Sequence, residues 1–237
     1  MRTLKERIPP LLRRRLRRFV RPADLGTAGL TTPISRHWGF DRGTPVDRYY
    51  IERFLTQHAG DVRGHVLEVK DASYTRRFGT GVTKSDVIDI DATNPHATVV
   101  ADLTTPGRSD EPTFDCFILT QTLHIIYDTR AALRRAYHLL RPGGVLLVTV
   151  PALSRATVPD YWRFTPASCR LLFGEVFSPG DVAVAAHGNV LTSVAFLHGI
   201  AYQELARRDL DVDDAMFPLV VTVRAVKGIG GAVAAPA

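Results

Sequence analysis

Apolar residues along this chain fall in short blocks, and the blocks alternate between two spacings. His65–Val69, Asp86–Ile90, Ala97–Ala101 and Phe114–Thr120 are apolar runs of strand length. Arg130–Leu140 has the helical spacing, with Ala132, Leu133, Ala136, Leu139 and Leu140 on one stripe. Arg141-Pro142-Gly143-Gly144 stops it, since proline and glycine do not continue the turn. Val145–Val150 is apolar without interruption, which suits a strand buried on both faces. Pro166–Phe177 predicts a helix, Asp181–Ala186 a strand, Leu191–Leu205 a helix and Phe217–Val226 a closing strand. Strands interleaved with helices require crossover connections, so the fold class is α/β with a doubly wound, mostly parallel sheet.

Upstream, Val46–Ala59 reads as a helix with Val46, Tyr49, Tyr50, Phe54 and Leu55 on one side. Residues 23–45 are rich in proline and glycine, and together with that helix make a cap or linker over 23–60. Pro9 and Pro10 suit a helix start, and Leu12, Leu16 and Phe19 or Val20 follow at helical spacing among arginines. Residues 1–22 therefore predict a basic amphipathic leader, an N-terminal helical extension to a domain over 61–227. Residues 228–237 form a small-residue tail expected to be disordered.

Charge sharpens this division. The formal net charge is +6, but the leader holds nine basic residues against Glu6 alone. Of 30 basic and 24 acidic residues, 21 and 23 remain for the rest, leaving it slightly acidic. That argues against nucleic acid spread over a basic face. It suits a leader in weak contact with an anionic membrane surface. No apolar run approaches the roughly 18 residues that cross a bilayer, and the N-terminus has no signal-like apolar core. The two cysteines, Cys116 and Cys169, are too few for a disulfide framework, and Cys116 in its apolar run reads as a buried free thiol. A cytoplasmic, membrane-peripheral location is expected.

In open α/β sheets, ligands bind beyond the carboxyl ends of the strands. Strand one ends at Glu68, strand two in Asp89 and Asp91, strand three in Asp102 and strand four at Thr120-Gln121. Carboxylates after three successive strands suit a nucleoside. Asp91, about 20 residues after the first loop, is placed to accept ribose hydroxyls. Asp102 is able to accept from an exocyclic amine of adenine.

The series Val66-Leu67-Glu68-Val69, Asp91, Ala101-Asp102-Leu103, Phe114 through His124, and Leu140-Arg141-Pro142-Gly143-Gly144-Val145-Leu146 resembles the class I methyltransferases over about residues 46–227. The resemblance implies a Rossmann-like methyltransferase fold of seven strands, closed by an antiparallel hairpin with Phe217–Val226 last. It implies S-adenosylmethionine as cofactor, with Glu68 toward its methionine end, Asp91 on the ribose and Asp102 on the adenine. Lys70, Asp71 and Ala72 would form the first loop, with Leu103, Thr120 and Gln121 along the far wall. A narrower resemblance runs through 33–50, Tyr74–Phe78 and Asp160–Thr165. These segments are similar to bacterial methyltransferase-domain proteins found with glycosyltransferases, which implies a sugar or glycan-related acceptor.

The first loop departs from the family. Lys70, Ala72 and Tyr74 stand where glycines are usual, at points where backbone passes close to a ligand. Lys70 either sits near a cationic sulfonium, which repels it, or turns to solvent and pairs with Asp71. Two functions follow. One is a methyltransferase acting on a small-molecule or glycan-related acceptor, with O-methylation expected. The other is an inactive methyltransferase-like binding or scaffold protein. For the first, His124 is the candidate general base, against a reading in which it only caps or packs the next helix. Tyr161, Trp162 and Arg163 either hold the acceptor or plug the sheet edge with Arg163 paired to Asp160. No histidine spacing suggests a metal site.

Overall fold

The computed structural model describes residues 26–105 and 111–229. The basic leader and nearly all of the tail lie outside the described residues. The chain divides into two compact units, up to Pro33 and from Ile34. The described part of the first is a 3-10 turn at Gly26–Gly29.

The second unit is built on one seven-stranded sheet. It begins with helix α1 (Val46–Gln57). There follow β1 (Gly64–Val69), α2 (Ser73–Phe78), β2 (Val82–Asp89), β3 (Val99–Val100), β4 (Phe114–Thr120) and α3 (Thr129–Leu139). Then come β5 (Leu140–Pro151), α4 (Pro166–Gly174), β6 (Val182–His187), α5 (Val190–Leu197), α6 (Arg207–Leu210) and β7 (Val220–Val226). The order across the sheet is β3-β2-β1-β4-β5-β7-β6. β1, β2, β3, β4 and β5 pair in parallel, and β7 runs antiparallel to both β5 and β6.

Period-two alternation explains the layers. Phe117 and Leu119 of β4, with Leu146, Val148 and Val150 of β5, point to one face. There they pack with Leu133 and Ala136 of α3 and Cys169 and Phe173 of α4. Cys116 and Ile118, with Val145 and Leu147, point the other way and meet Ile51, Phe54 and Leu55 of α1. Both cysteines are free and buried, as expected. The early part of β5 needs its glycine, because Gly143 has φ 79 and its N–H donates to the Lys227 carbonyl at 2.7 Å. Lys227 also closes the end of α3, its ammonium donating to the carbonyls of Tyr137 and Leu140 at 2.9 and 2.7 Å.

Four expectations need correction. The helix expected over Leu191–Leu205 ends at Leu197, because Gly199 has φ 68 and lies so close to Ser35 that a Cβ would stand 2.4 Å from its carbonyl oxygen. Strand two starts earlier, at Val82, and ends before Ile90, which is 70% exposed. The third strand shrinks to Val99–Val100. Helix α2 was not expected at all: it has six residues, and its apolar face is the single pair Tyr74 and Phe78, packed against the α1 side of the core.

Candidate functional site

A cavity of about 420 Å³ opens beyond the carboxyl ends of β1, β4 and β5. Its polar lining comes from four places: Asp47 and Arg48 at the start of α1, Lys70 after β1, Gln121 and His124 after β4, and Ser154 and Thr157 after β5. Apolar walls come from Trp38, Leu153 and Phe196.

Three of these polar groups are buried and without a hydrogen-bond partner: Asp47 Oδ1, Gln121 Nε2 and His124 Nδ1. Unsatisfied buried polar atoms cost about 1–3 kcal/mol each, so three around one cavity mark a place built to be filled. Burial pushes the Asp47 carboxyl above its ordinary pKa, against the pull of Arg48. Burial likewise pushes the His124 imidazole below its ordinary value, opposed by Asp160 and aided by Arg163. His124 is therefore a neutral base near neutrality, with one ring nitrogen unspoken for.

The β1–α2 turn takes the conformation that glycine usually supplies. Lys70 has φ 70. Its N–H donates to the Ile88 carbonyl at 3.0 Å, and its carbonyl accepts from the Asn94 side chain at 2.7 Å. The side chain is exposed, and its ammonium has no partner among the described residues; Asp71 instead accepts from the Ser73 N–H at 2.7 Å. Gln121, after β4, is also left-handed, with φ 46. Glu68 is 2% exposed and fully occupied by α2. Its two oxygens accept from the N–H groups of Tyr74 and Thr75 at 3.0 and 2.7 Å. The Thr75 hydroxyl donates to it as well, at 2.6 Å.

The remaining candidates spread along the strand ends. Asp91 and Asp102 sit in matching turns. Asp91 Oδ1 accepts from the Thr93 N–H and hydroxyl at 2.8 and 2.7 Å, and Asp102 Oδ1 from those of Thr104 at 2.7 and 2.8 Å. Each keeps its second oxygen free of hydrogen bonds among the described residues. Neither lines the cavity, and nor do Asp71, Ala72, Leu103 and Thr120. Tyr161, Trp162 and Arg163 also lie off it, and the part of their loop that lines it is Ser154 with Thr157–Pro159. Arg163 is spent within that loop, donating to Asp160 at 2.5 and 2.7 Å and to the carbonyls of Ser154 and Arg155. Trp162 donates through its indole to the carbonyls of Ile126 and Tyr127, at 3.0 and 3.1 Å, and stacks on the Tyr127 ring. The N–H groups of Tyr161 and Trp162 donate to the His124 carbonyl at 2.9 and 3.2 Å. This segment thus backs His124 from outside the cavity.

Asp47 and Arg48 were missed by sequence reasoning, which took α1 for a packing helix. A signal was available: Asp47 lies at helical spacing from Tyr50 and Ile51, on the buried stripe, where a lone acid needs a reason. The residues fit a nucleoside cofactor. Asp91 and Asp102 present free carboxylate oxygens at successive strand ends, and the first turn keeps the left-handed backbone that lets a chain pass close to a ligand.

The family model for the methyltransferase domain matches residues 67–148, from β1 to β5. A search of curated proteins gave no match. Among solved structures, an S-adenosylmethionine-dependent methyltransferase from Archaeoglobus fulgidus superposes with a TM-score of 0.50 at 13% identity, covering 81% of this chain and 100% of its own. Phosphoethanolamine N-methyltransferase 2 of Haemonchus contortus, solved with S-adenosyl-L-methionine, superposes with a TM-score of 0.50 at 14% identity, covering 76% of this chain and 52% of its own. At these identities the likeness speaks for the fold, which is that of the class I methyltransferases.

Proposed function

We propose that this chain, a methyltransferase domain on the class I fold, moves the methyl group of S-adenosylmethionine to an oxygen of a small-molecule or glycan-related acceptor. The observation that carries the reading is His124: buried, neutral at pH 7, and part of the cavity lining.

When bound, the cofactor supplies an electrophilic methyl carbon on a cationic sulfur, which an acceptor lone pair displaces in line. Asp91 accepts from the ribose hydroxyls and Asp102 from the adenine amine, each with the carboxylate oxygen its own turn leaves free. Glu68 acts one step back, holding α2 and so the turn at Lys70. Gln121 Nε2 donates to the bound pair from the β4 side. His124 takes the proton that an acceptor hydroxyl gives up as its oxygen gains the methyl group. Trp162 and its neighbours fix the His124 backbone from behind, and Tyr161 and Trp162 offer exposed rings beside the acceptor's approach. Residues 1–22 bring the enzyme to anionic membrane surfaces; among the described residues no helix is long and apolar enough to cross a membrane.

Calorimetry with S-adenosylmethionine and S-adenosylhomocysteine tests the reading. Binding of both is expected. Absence of heat at millimolar cofactor would overturn it in favour of a non-catalytic binding protein. Label transfer from the cofactor to amino groups only, across a panel of sugars and amino sugars, would overturn the choice of oxygen.

A further inference from the structure

The cavity is lopsided in charge. Two cations line it, Arg48 and Lys70, against one carboxylate, Asp47, whose charge burial disfavours. Arg48 is drawn by charge to Asp47 and Glu52, but among the described residues neither cation makes an ion pair in contact. Among the described residues the Arg48 guanidinium makes one hydrogen bond, a long one of 3.4 Å to the Tyr74 hydroxyl, and the Lys70 ammonium makes none. The other arginine-rich hollow, between α1 and α6, is different. There Arg53 meets Asp213 at 2.6 Å, Arg77 meets Glu52 at 2.6 Å and Arg207 meets Asp211 at 3.7 Å, so its cations are internally compensated. The same cavity is lined by the three residues with orphaned buried polar atoms, Asp47, Gln121 and His124.

Lys70 adds a second argument. A non-glycine residue at φ 70 is strained, and among the described residues the ammonium of this exposed side chain makes no hydrogen bond or ion pair in return. Its position makes sense if the ammonium meets something that arrives. A third cation beside these two, the sulfonium of the proposed reaction, is repelled by both. A negative charge among the three converts repulsion to attraction, strongly so where the walls exclude water. Gln121, which also lines the cavity, has a further unspent donor in its Nε2.

We infer that the acceptor is an anion, carrying a carboxylate or phosphate that is held between Arg48 and Lys70 within this cavity. The inference rests on the methyltransferase reading for the word acceptor, but the anion site stands on the cavity's own chemistry. Carboxylate and phosphate are the two groups whose oxygens match a guanidinium fork and an ammonium together.

Ligand-observed NMR titration of the full chain tests it, with D-glucuronate, D-glucose 6-phosphate and D-glucose as probes, each with and without S-adenosylhomocysteine. At least one anionic sugar is expected to bind about tenfold tighter than glucose, the effect of a charge-assisted contact. Lys70→Gln, at an exposed position, is expected to weaken that binding about threefold. Its S-adenosylhomocysteine affinity should stay within about twofold of wild type. Arg48→Gln should act in the same direction, with circular dichroism to check its fold; if it does not fold, Lys70→Gln decides. Equal binding of glucose and both anions would overturn the proposal. So would a loss of S-adenosylhomocysteine affinity in Lys70→Gln as large as the loss for the sugar, since the cations would then be holding the cofactor's own carboxylate. If S-adenosylhomocysteine does not bind at all, the methyltransferase reading fails by itself, and the titration without it still decides the anion site.

Discussion

Glu68, the penultimate residue of β1, accepts both the backbone N–H and the hydroxyl of Thr75, at 2.7 and 2.6 Å. A strand residue thereby caps a helix that has no side-chain cap of its own at Ala72. Removing the carboxylate in Glu68→Ala leaves the Tyr74 and Thr75 N–H groups without their acceptor. The expected loss is about 2–3 kcal/mol in urea unfolding. A loss below about 0.5 kcal/mol would show that the cap is dispensable. Burial raises the Glu68 pKa above its ordinary 4.5. The native state therefore binds this proton more readily than the unfolded chain, and its contribution is fully present below 4.5 and lost as pH rises through the raised value. Non-titrating Glu68→Gln should gain on wild type over that window.

Lys70→Gly should stabilise the protein. It relieves a left-handed lysine, worth about 1–2 kcal/mol, at an entropic cost of about 0.5–1 kcal/mol, so a rise of up to about 1 kcal/mol is expected. S-adenosylmethionine affinity should hold or tighten, because the backbone conformation is unchanged and a cation near its sulfonium is removed. A destabilised variant would mean that the lysine stem packs after all.

Asp91→Ala should weaken S-adenosylhomocysteine binding by about 1.5–3 kcal/mol, the range for a hydrogen bond to a charged group, measured by calorimetry. Its Oδ1 already serves Thr93, so thermal unfolding of the variant is the control for a merely loosened turn. Unchanged affinity would remove Asp91 from the cofactor site.

The lowered pKa of His124 sets a pH profile for methyl transfer. Above its ordinary value of 6.5 the imidazole is neutral, and burial, the main cause of the shift, keeps it neutral somewhat below that. Rate should be flat through neutrality and fall only as pH drops through the lowered value. Stability moves the same way. The native state binds this proton less readily than the unfolded chain, so stability declines as pH falls from 6.5. His124→Gln should cost about a hundredfold or more in rate and remove the acidic limb. A variant with the same acidic limb would assign that limb to another group.

What could be read from the sequence followed how local each cause is. β1, β4 and β5 were legible because a strand buried on both faces has a largely apolar centre, as Val66-Leu67, Cys116–Leu119 and Val145–Val148 are. The end of α3 was legible to within a residue because Arg141-Pro142-Gly143-Gly144 follows at once, although those residues already belong to β5. Helix α2 was not, since it is one short turn with a single apolar pair, and a carboxylate on another element caps it. The length of α5 was misread because Gly199 ends it by meeting Ser35, far away in sequence. The strand-end acids were locatable by topology alone. That Asp47 and Arg48 join Lys70 and His124 around one cavity depends on how α1 lies on the sheet, which no spacing within α1 encodes.

The loop after β5 is pinched at its base. The Phe164 N–H donates to the Pro151 carbonyl at 3.0 Å, and just inside that neck Tyr161 and Trp162 are pinned to His124. Between these fastenings, Ser154 and Thr157–Pro159 face the cavity. The segment is a cassette: its residues, even its length, are free to change while the neck, the sheet and the histidine stay in register. Descendants of this chain have in that loop a place to exchange one acceptor for another without rebuilding the machinery that moves the methyl group.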